Sequence, residues 1–127
     1  MTPGPPIRVM TVDDHPVFRN AAAAIVAAMP GFEYVGESTN GEEALQQVPV
    51  ADPDVVILDV RMPGMDGIEL AGRLAEQDPT RVIVLTSSED VRSFSRLARA
   101  CGAAALVSKH WLTPRMLRGL WMVHRRR

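Results

Sequence analysis

Residues 55–67 read VVILDVRMPGMDG. Four consecutive apolar residues, three of them β-branched, end on Asp59, and a Pro/Gly turn follows at once. A run of that length and composition is a short strand, and its lack of alternation marks a strand covered on both faces. An acid that closes such a strand lies at the edge of the sheet and not in its middle.

Working outward, the same unit recurs. Ile7–Val12 is a β-branched run, and a helix is expected over Pro16–Met29, with Pro16 at its start and Pro30–Gly31 at its stop. Phe32–Glu37 reads as a second strand. Asn40 and Glu43 have the spacing of a capping box, opening a helix that should end near Val48, before Pro49. After the strand Val55–Asp59, Ile68, Ala71, Leu74 and Ala75 recur at helical spacing over Ile68–Gln77. Arg81–Thr86 is the fourth strand, and Ser88 can cap a fourth helix over Glu89–Cys101, closed by Gly102. Ala105–Ser108 is the fifth strand. Thr113–Pro114 opens a last helix to about His124. Strands alternating with helices predict an α/β fold, a doubly wound five-stranded parallel sheet with five helices.

The whole chain agrees with one such domain. It has 127 residues, 46% hydrophobic and 23% charged, with a net charge of −1. That balance gives no electrostatic reason to expect nucleic acid or a membrane surface. One cysteine, Cys101, excludes an internal disulfide framework and reads as a small buried helix residue. No apolar run approaches the roughly 20 residues of a membrane span, and no signal peptide is visible, so a soluble cytoplasmic protein is expected. Residues 1–6 are expected to be disordered, 7–124 to form the domain, and 125–127 to be a tail or the start of a linker.

A doubly wound sheet binds its ligand outside the carboxyl ends of the strands. Those ends carry Asp13 and Asp14, Asp59, Thr86, and Ser108 with Lys109. Any one alone has an ordinary explanation, since a strand-end Asp commonly begins a turn. Together they place three mutually repelling carboxylates at one edge, which calls for retained protons or a cation. Oxygen donors without a His/Cys cluster suit Mg²⁺ better than Zn²⁺. Such a site fits phosphoryl transfer, with a carboxylate as nucleophile and Mg²⁺, Lys109 and the Thr86 hydroxyl around the phosphoryl oxygens.

The segments VDDHPVFR (12–19), VVILDVRMPGMDGIEL (55–70), VIVLTSSED (82–90) and ALVSKH (105–110) resemble the receiver domain of bacterial two-component response regulators. The likeness runs from about Ile7 to Val123. VDDHPVFR and VGESTNGEEAL (35–45) resemble the NarL/LuxR-type subfamily, whose members usually carry a C-terminal helix-turn-helix domain. The resemblance implies a flavodoxin/CheY-like strand order, 2-1-3-4-5. It implies that Asp59 accepts phosphate from a sensor histidine kinase. Asp14, Asp59 and the Arg61 backbone carbonyl would ligate Mg²⁺, with Asp13 acting mostly through water. Lys109 would contact the phosphoryl group, Thr86 would be the switch hydroxyl, and the turn Met62–Gly67 would shape the adjoining loop. It further implies a homodimer, through the last helices or the face of the fourth helix, fifth strand and fifth helix. DNA would be reached only through an output domain absent from these residues.

Three positions depart from the pattern. Leu106 stands where a Tyr or Phe usually forms the second half of the switch. Ser87 replaces a common Ala, and His110, expected on the surface, follows Lys109. Trp111 and Trp121 suit either an interface or the core. The terminal Arg125–Arg127 run reads as a solvated helix end.

Four functions compete at this point. They are the receiver of a transcriptional regulator, a stand-alone receiver, a phosphate-independent interaction module and an Asp-nucleophile phosphatase. The last needs an acid two residues after its nucleophile, where this chain has Arg61. The expectation is therefore of a protein that is not an enzyme beyond its own phosphorylation and dephosphorylation.

Overall fold

Every residue of the strand Val55–Asp59 is buried, and the rest of the molecule is arranged around it. The structure, a computed structural model, describes residues 4–89, 96 and 100–125. Its strands are β1 (Ile7–Val12), β2 (Phe32–Ser38), β3 (Val55–Asp59), β4 (Val82–Ser87) and β5 (Ala105–Ser108). They form one sheet in the order β2-β1-β3-β4-β5, and every neighbouring pair is parallel. This is the doubly wound order, with β3 at the centre.

Four helices are complete among the described residues: α1 (Pro16–Ala27), α2 (Gly41–Ala51), α3 (Gly67–Gln77) and α4 (Pro114–His124). The helix expected over Glu89–Cys101 lies largely outside the described residues. Its two described interior positions, Arg96 and Ala100, are helical.

The alternation of the strands divides two cores. Met10, Val12, Val56, Leu58, Ile83 and Leu85 pack on one face with Ala44, Val48, Leu70 and Leu74 of α2 and α3. Val9, Val55, Ile57, Val82 and Val84 pack on the other with Val26, Leu117 and Trp121 of α1 and α4. A continuous apolar strand is therefore needed wherever both faces are covered.

Caps fix where the helices enter. Asn40 accepts from the Glu43 amide at 2.9 Å, while the Glu43 carboxylate accepts from the Thr39 amide at 2.9 Å. At the start of α3 the Asp66 carboxylate accepts from the Glu69 amide, and at the start of α4 the Thr113 hydroxyl accepts from the Met116 amide.

One boundary differs in kind from expectation. α2 does not stop before Pro49 but runs through it to Ala51. Proline removes one amide and crowds the preceding turn. Here it stands in the last turn, where Val48 is fully buried and Ala51 packs on the same core. The helix ends instead at Asp52, whose amide donates to the Val48 carbonyl at 2.8 Å and whose φ is 51°. The end of α1 at Ala27 rather than Met29 is a smaller difference of the kind common at helix ends.

The two tryptophans separate: Trp121 is buried, whereas Trp111 is 68% exposed. Cys101 is only half-buried and lies in the turn before Gly102, against the first core. Among the described residues no helix is long and apolar enough to cross a membrane.

Candidate functional site

The parallel register brings the carboxyl ends of β1, β3 and β4 to one edge. Val12 pairs with Leu58, so Asp13 follows β1 beside the end of β3. Asp59 pairs directly with Thr86. Lys109 opens a 3-10 turn, Lys109–Trp111, at the end of β5.

Asp13 and Asp59 are both buried. The Lys109 ammonium reaches between them, with Nζ 2.7 Å from Asp13 Oδ2 and 3.2 Å from Asp59 Oδ2. Nζ also lies 4.6 Å from the centre of the Phe18 ring, a cation–π contact from the first turn of α1. The other Asp59 oxygen, Oδ1, accepts from the Arg61 amide at 3.0 Å. That bond places the Arg61 peptide beside the carboxylate. The Arg61 side chain points away, to Glu89 at 3.1 Å.

Burial pushes the Asp59 carboxyl above its usual range, and the charge of Asp13 pushes the same way; the Arg61 amide and Lys109 oppose them. Burial is the largest of these influences, and the local charge adds to it. Asp13, Asp14 and Asp59 contribute three negative charges against the single positive charge of Lys109. Two of their oxygens, Asp13 Oδ2 and Asp14 Oδ1, are shielded from solvent and accept no hydrogen bond among the described residues. The short approach of Lys109 to Asp13 Oδ2 is thus an ion pair without hydrogen-bond alignment. A divalent cation would balance the charge and engage oxygens that accept no hydrogen bond, so this acidic cluster can hold a metal ion.

Thr86 is fully buried, and its hydroxyl donates to the Leu58 carbonyl at 3.3 Å. Ser87 is buried too, and its Oγ accepts from the Glu89 amide at 3.0 Å. Leu106 does not join the pocket. It pairs with Leu85 and packs against the first core, half-buried. His110 is exposed.

Sequence reasoning passed over His15. Its Nδ1 lies 2.8 Å from Asp13 Oδ1, 3.3 Å from Asp14 Oδ1 and 3.6 Å from Asp59 Oδ2. The signal was its place directly after the acidic pair. Phe18, one helical turn further on, gave no signal of its contact with Lys109.

Comparison with known proteins agrees with this architecture. The family model described as "Response regulator receiver domain" matches residues 9–120. The chain belongs to the response regulator receiver domain family. This receiver is 38% identical over 104 residues to the response regulator GacA of Pseudomonas viridiflava, covering 81% of this chain and 48% of the relative. The receiver domain of the putative response regulator NarL from Mycobacterium tuberculosis superimposes with a TM-score of 0.85 at 29% identity, over 95% of this chain and 98% of that one. A LuxR-family two-component response regulator from Aurantimonas sp. SI85-9A1 gives 0.84 at 27% identity, over 94% and 88%. The chain spans about half the length of the curated relative GacA. Its kinship is with the NarL/LuxR-type response regulators, and a phosphoacceptor role is consistent with the family.

Proposed function

We propose that Asp59 is the phosphoacceptor of this receiver, fed by the phosphohistidine of a sensor kinase. The observation that carries the reading is the buried Asp59 carboxylate with Lys109 Nζ 3.2 Å away and, beside it, buried acidic oxygens that accept no hydrogen bond among the described residues. An Asp59 oxygen attacks phosphorus, a P–O bond forms as the P–N bond breaks, and the departing imidazole nitrogen takes a proton from solvent. Lys109 holds negative charge at the phosphoryl oxygens. The Arg61 amide fixes the carboxylate's orientation through Oδ1.

The metal we assign is Mg²⁺, held by Asp14, Asp59 and the Arg61 carbonyl, with Asp13 acting through water. Bound there, it would neutralise the phosphoryl oxygens as charge moves between donor and acceptor.

The switch we assign is Thr86. Its hydroxyl can leave the Leu58 carbonyl for a phosphoryl oxygen, carrying the Ser87–Glu89 segment with it. Leu106, packed into the core, supports a readout carried by Thr86 without an aromatic partner. We take residues 7–124 as the receiver unit, with residues 1–6 preceding it and residues 125–127 leading toward a LuxR-type DNA-binding output in the whole protein. In this reading the protein is cytoplasmic and dimerises through its last helices or the neighbouring β5 face. It turns over no external substrate beyond its own acyl phosphate.

The test is incubation with Mg²⁺ and acetyl phosphate, followed by intact mass. Wild type should gain one phosphoryl group, and Asp59→Asn should gain none. An equal adduct in both, or none in either with acetyl phosphate or phosphoramidate, would overturn the assignment.

A further inference from the structure

The pocket contains a nitrogen that the phosphoacceptor reading does not use. His15 Nδ1 approaches one oxygen from each of the three acids, at 2.8 Å, 3.3 Å and 3.6 Å. All four donor atoms lie within 4.8 Å of one another. A six-coordinate divalent ion with bonds of about 2.1 Å sets adjacent donors about 3.0 Å apart and opposite donors about 4.2 Å apart. These separations are on the scale of one coordination sphere, and an ion enters it as the Lys109 ammonium, now 3.5 Å from Nδ1 and 3.2 Å from Asp59 Oδ2, draws back. Asp13 Oδ2, on a fully buried side chain and held by the Lys109 ion pair at 2.7 Å without a hydrogen bond, is a further oxygen beside the set.

The geometry points to His15 as a fourth metal-ligating side chain, one that makes this pocket favour a borderline cation such as Ni²⁺ beyond what its oxygens alone would give. The proposal rests on the phosphoacceptor reading for the position of the metal, and adds a nitrogen donor to it. Imidazole suits nickel and other later first-row metals, while Mg²⁺ prefers oxygen and keeps its waters. The His15 ring is 61% exposed, so it can turn its nitrogen to an incoming ion without unpacking the core. The hydrogen bond between Nδ1 and Asp13 Oδ1 holds the ring over the acids meanwhile; on ligation the ring keeps its proton on Nε2, and the Nδ1 lone pair goes to the ion in place of that bond. A cation ligated by His15 takes the same carboxylate oxygens that Mg²⁺ needs, so the two compete.

Calorimetric titration with Mg²⁺ and with Ni²⁺ tests this on wild type, His15→Ala and Asp59→Asn. His15→Ala should lower the ratio of Ni²⁺ to Mg²⁺ affinity by about tenfold or more, the difference between a site with and without imidazole. Electron spin-echo modulation of bound Mn²⁺ should show a coupled nitrogen in wild type and none in His15→Ala. An unchanged affinity ratio, or a Mn²⁺ signal without nitrogen, overturns the role of His15. Mg²⁺ binding that is lost in Asp59→Asn would then leave the phosphoacceptor reading standing. Binding of no divalent cation, or binding insensitive to Asp59→Asn, overturns both.

Discussion

Gly67 packs its α-carbon directly against the backbone of Asp59. A β-carbon at Gly67 would collide with the Asp59 carbonyl oxygen and would sit 2.7 Å from the Val60 α-carbon. The contact is fixed by the hydrogen bond from the Gly67 amide to the Val60 carbonyl, 2.8 Å long. The first residue of α3 thus touches the backbone of the candidate nucleophile.

Gly67→Ala should therefore do harm well beyond a change of helix propensity, which by itself favours alanine. Overpacking of this kind costs about 1–3 kcal/mol. The expected result is a lower urea midpoint at unchanged slope, with slower phosphoryl uptake because the Arg61 amide and Asp59 Oδ1 move apart. Stability and uptake equal to wild type would show that the loop yields freely.

Asp59→Asn should stabilise the metal-free domain at neutral pH. The Asp59 carboxyl is raised by burial and by Asp13. A group whose folded-state pKa exceeds its unfolded value binds its proton more tightly when folded. Its contribution is fully present below the unfolded pKa and is lost as pH rises through the folded one. Removing the charge should add about 1 kcal/mol above that window, or roughly 4 °C in Tm. The gain should vanish toward acid pH. Thermal scans in chelator from acid to neutral pH measure it, and a gain that grows on acidification would contradict the assigned direction.

Lys109→Ala leaves two buried carboxylates facing one another. Removing one partner of a buried ion pair costs about 3–5 kcal/mol, and Lys109 is 12% exposed, so the lower end applies. The same substitution in the Asp59→Asn background should cost less, with a coupling energy of about 1–3 kcal/mol. Additive effects in this double-mutant cycle would mean that the ion pair contributes little.

Thr86→Val keeps the shape but removes the donor to the Leu58 carbonyl. A stability loss of about 1 kcal/mol is expected, with Asp59 still taking up phosphate. Phosphate-dependent association, read by light scattering or gel filtration, should disappear. If association persists, the signal leaves the pocket by another route.

Much of the fold was legible because burial on both faces writes itself as continuous apolar runs. Val55–Leu58 and Val82–Leu85 have no other comfortable home. The gathering of Asp13, Asp14, Asp59 and Lys109 followed from parallel topology alone, since every strand then ends at the same edge. Other features depend on facts that a linear reading does not contain. Pro49 sits inside α2 because Val48 and Ala51 are drawn onto the core, a tertiary preference that outweighs a local one. Trp111 and Trp121 are the same residue type ten positions apart, and only the turn before Thr113 decides that one is wet and the other dry. His15 reads as a link between strand and helix until the chain turns its ring back over the acids.

The pocket's donors come from the turn after β1 and from the end of β3, with β2 and α2 between them in the chain, so the full set meets only in the native state. Any cation taken up there binds the folded form and not its competitor. Each tenfold rise in free cation above the dissociation constant then adds about 1.4 kcal/mol to folding. The temperature at which this small domain falls apart is thereby tied to the ionic composition around it. Its survival in heat would serve as a gauge of dissolved metal, independent of whether any phosphate has arrived.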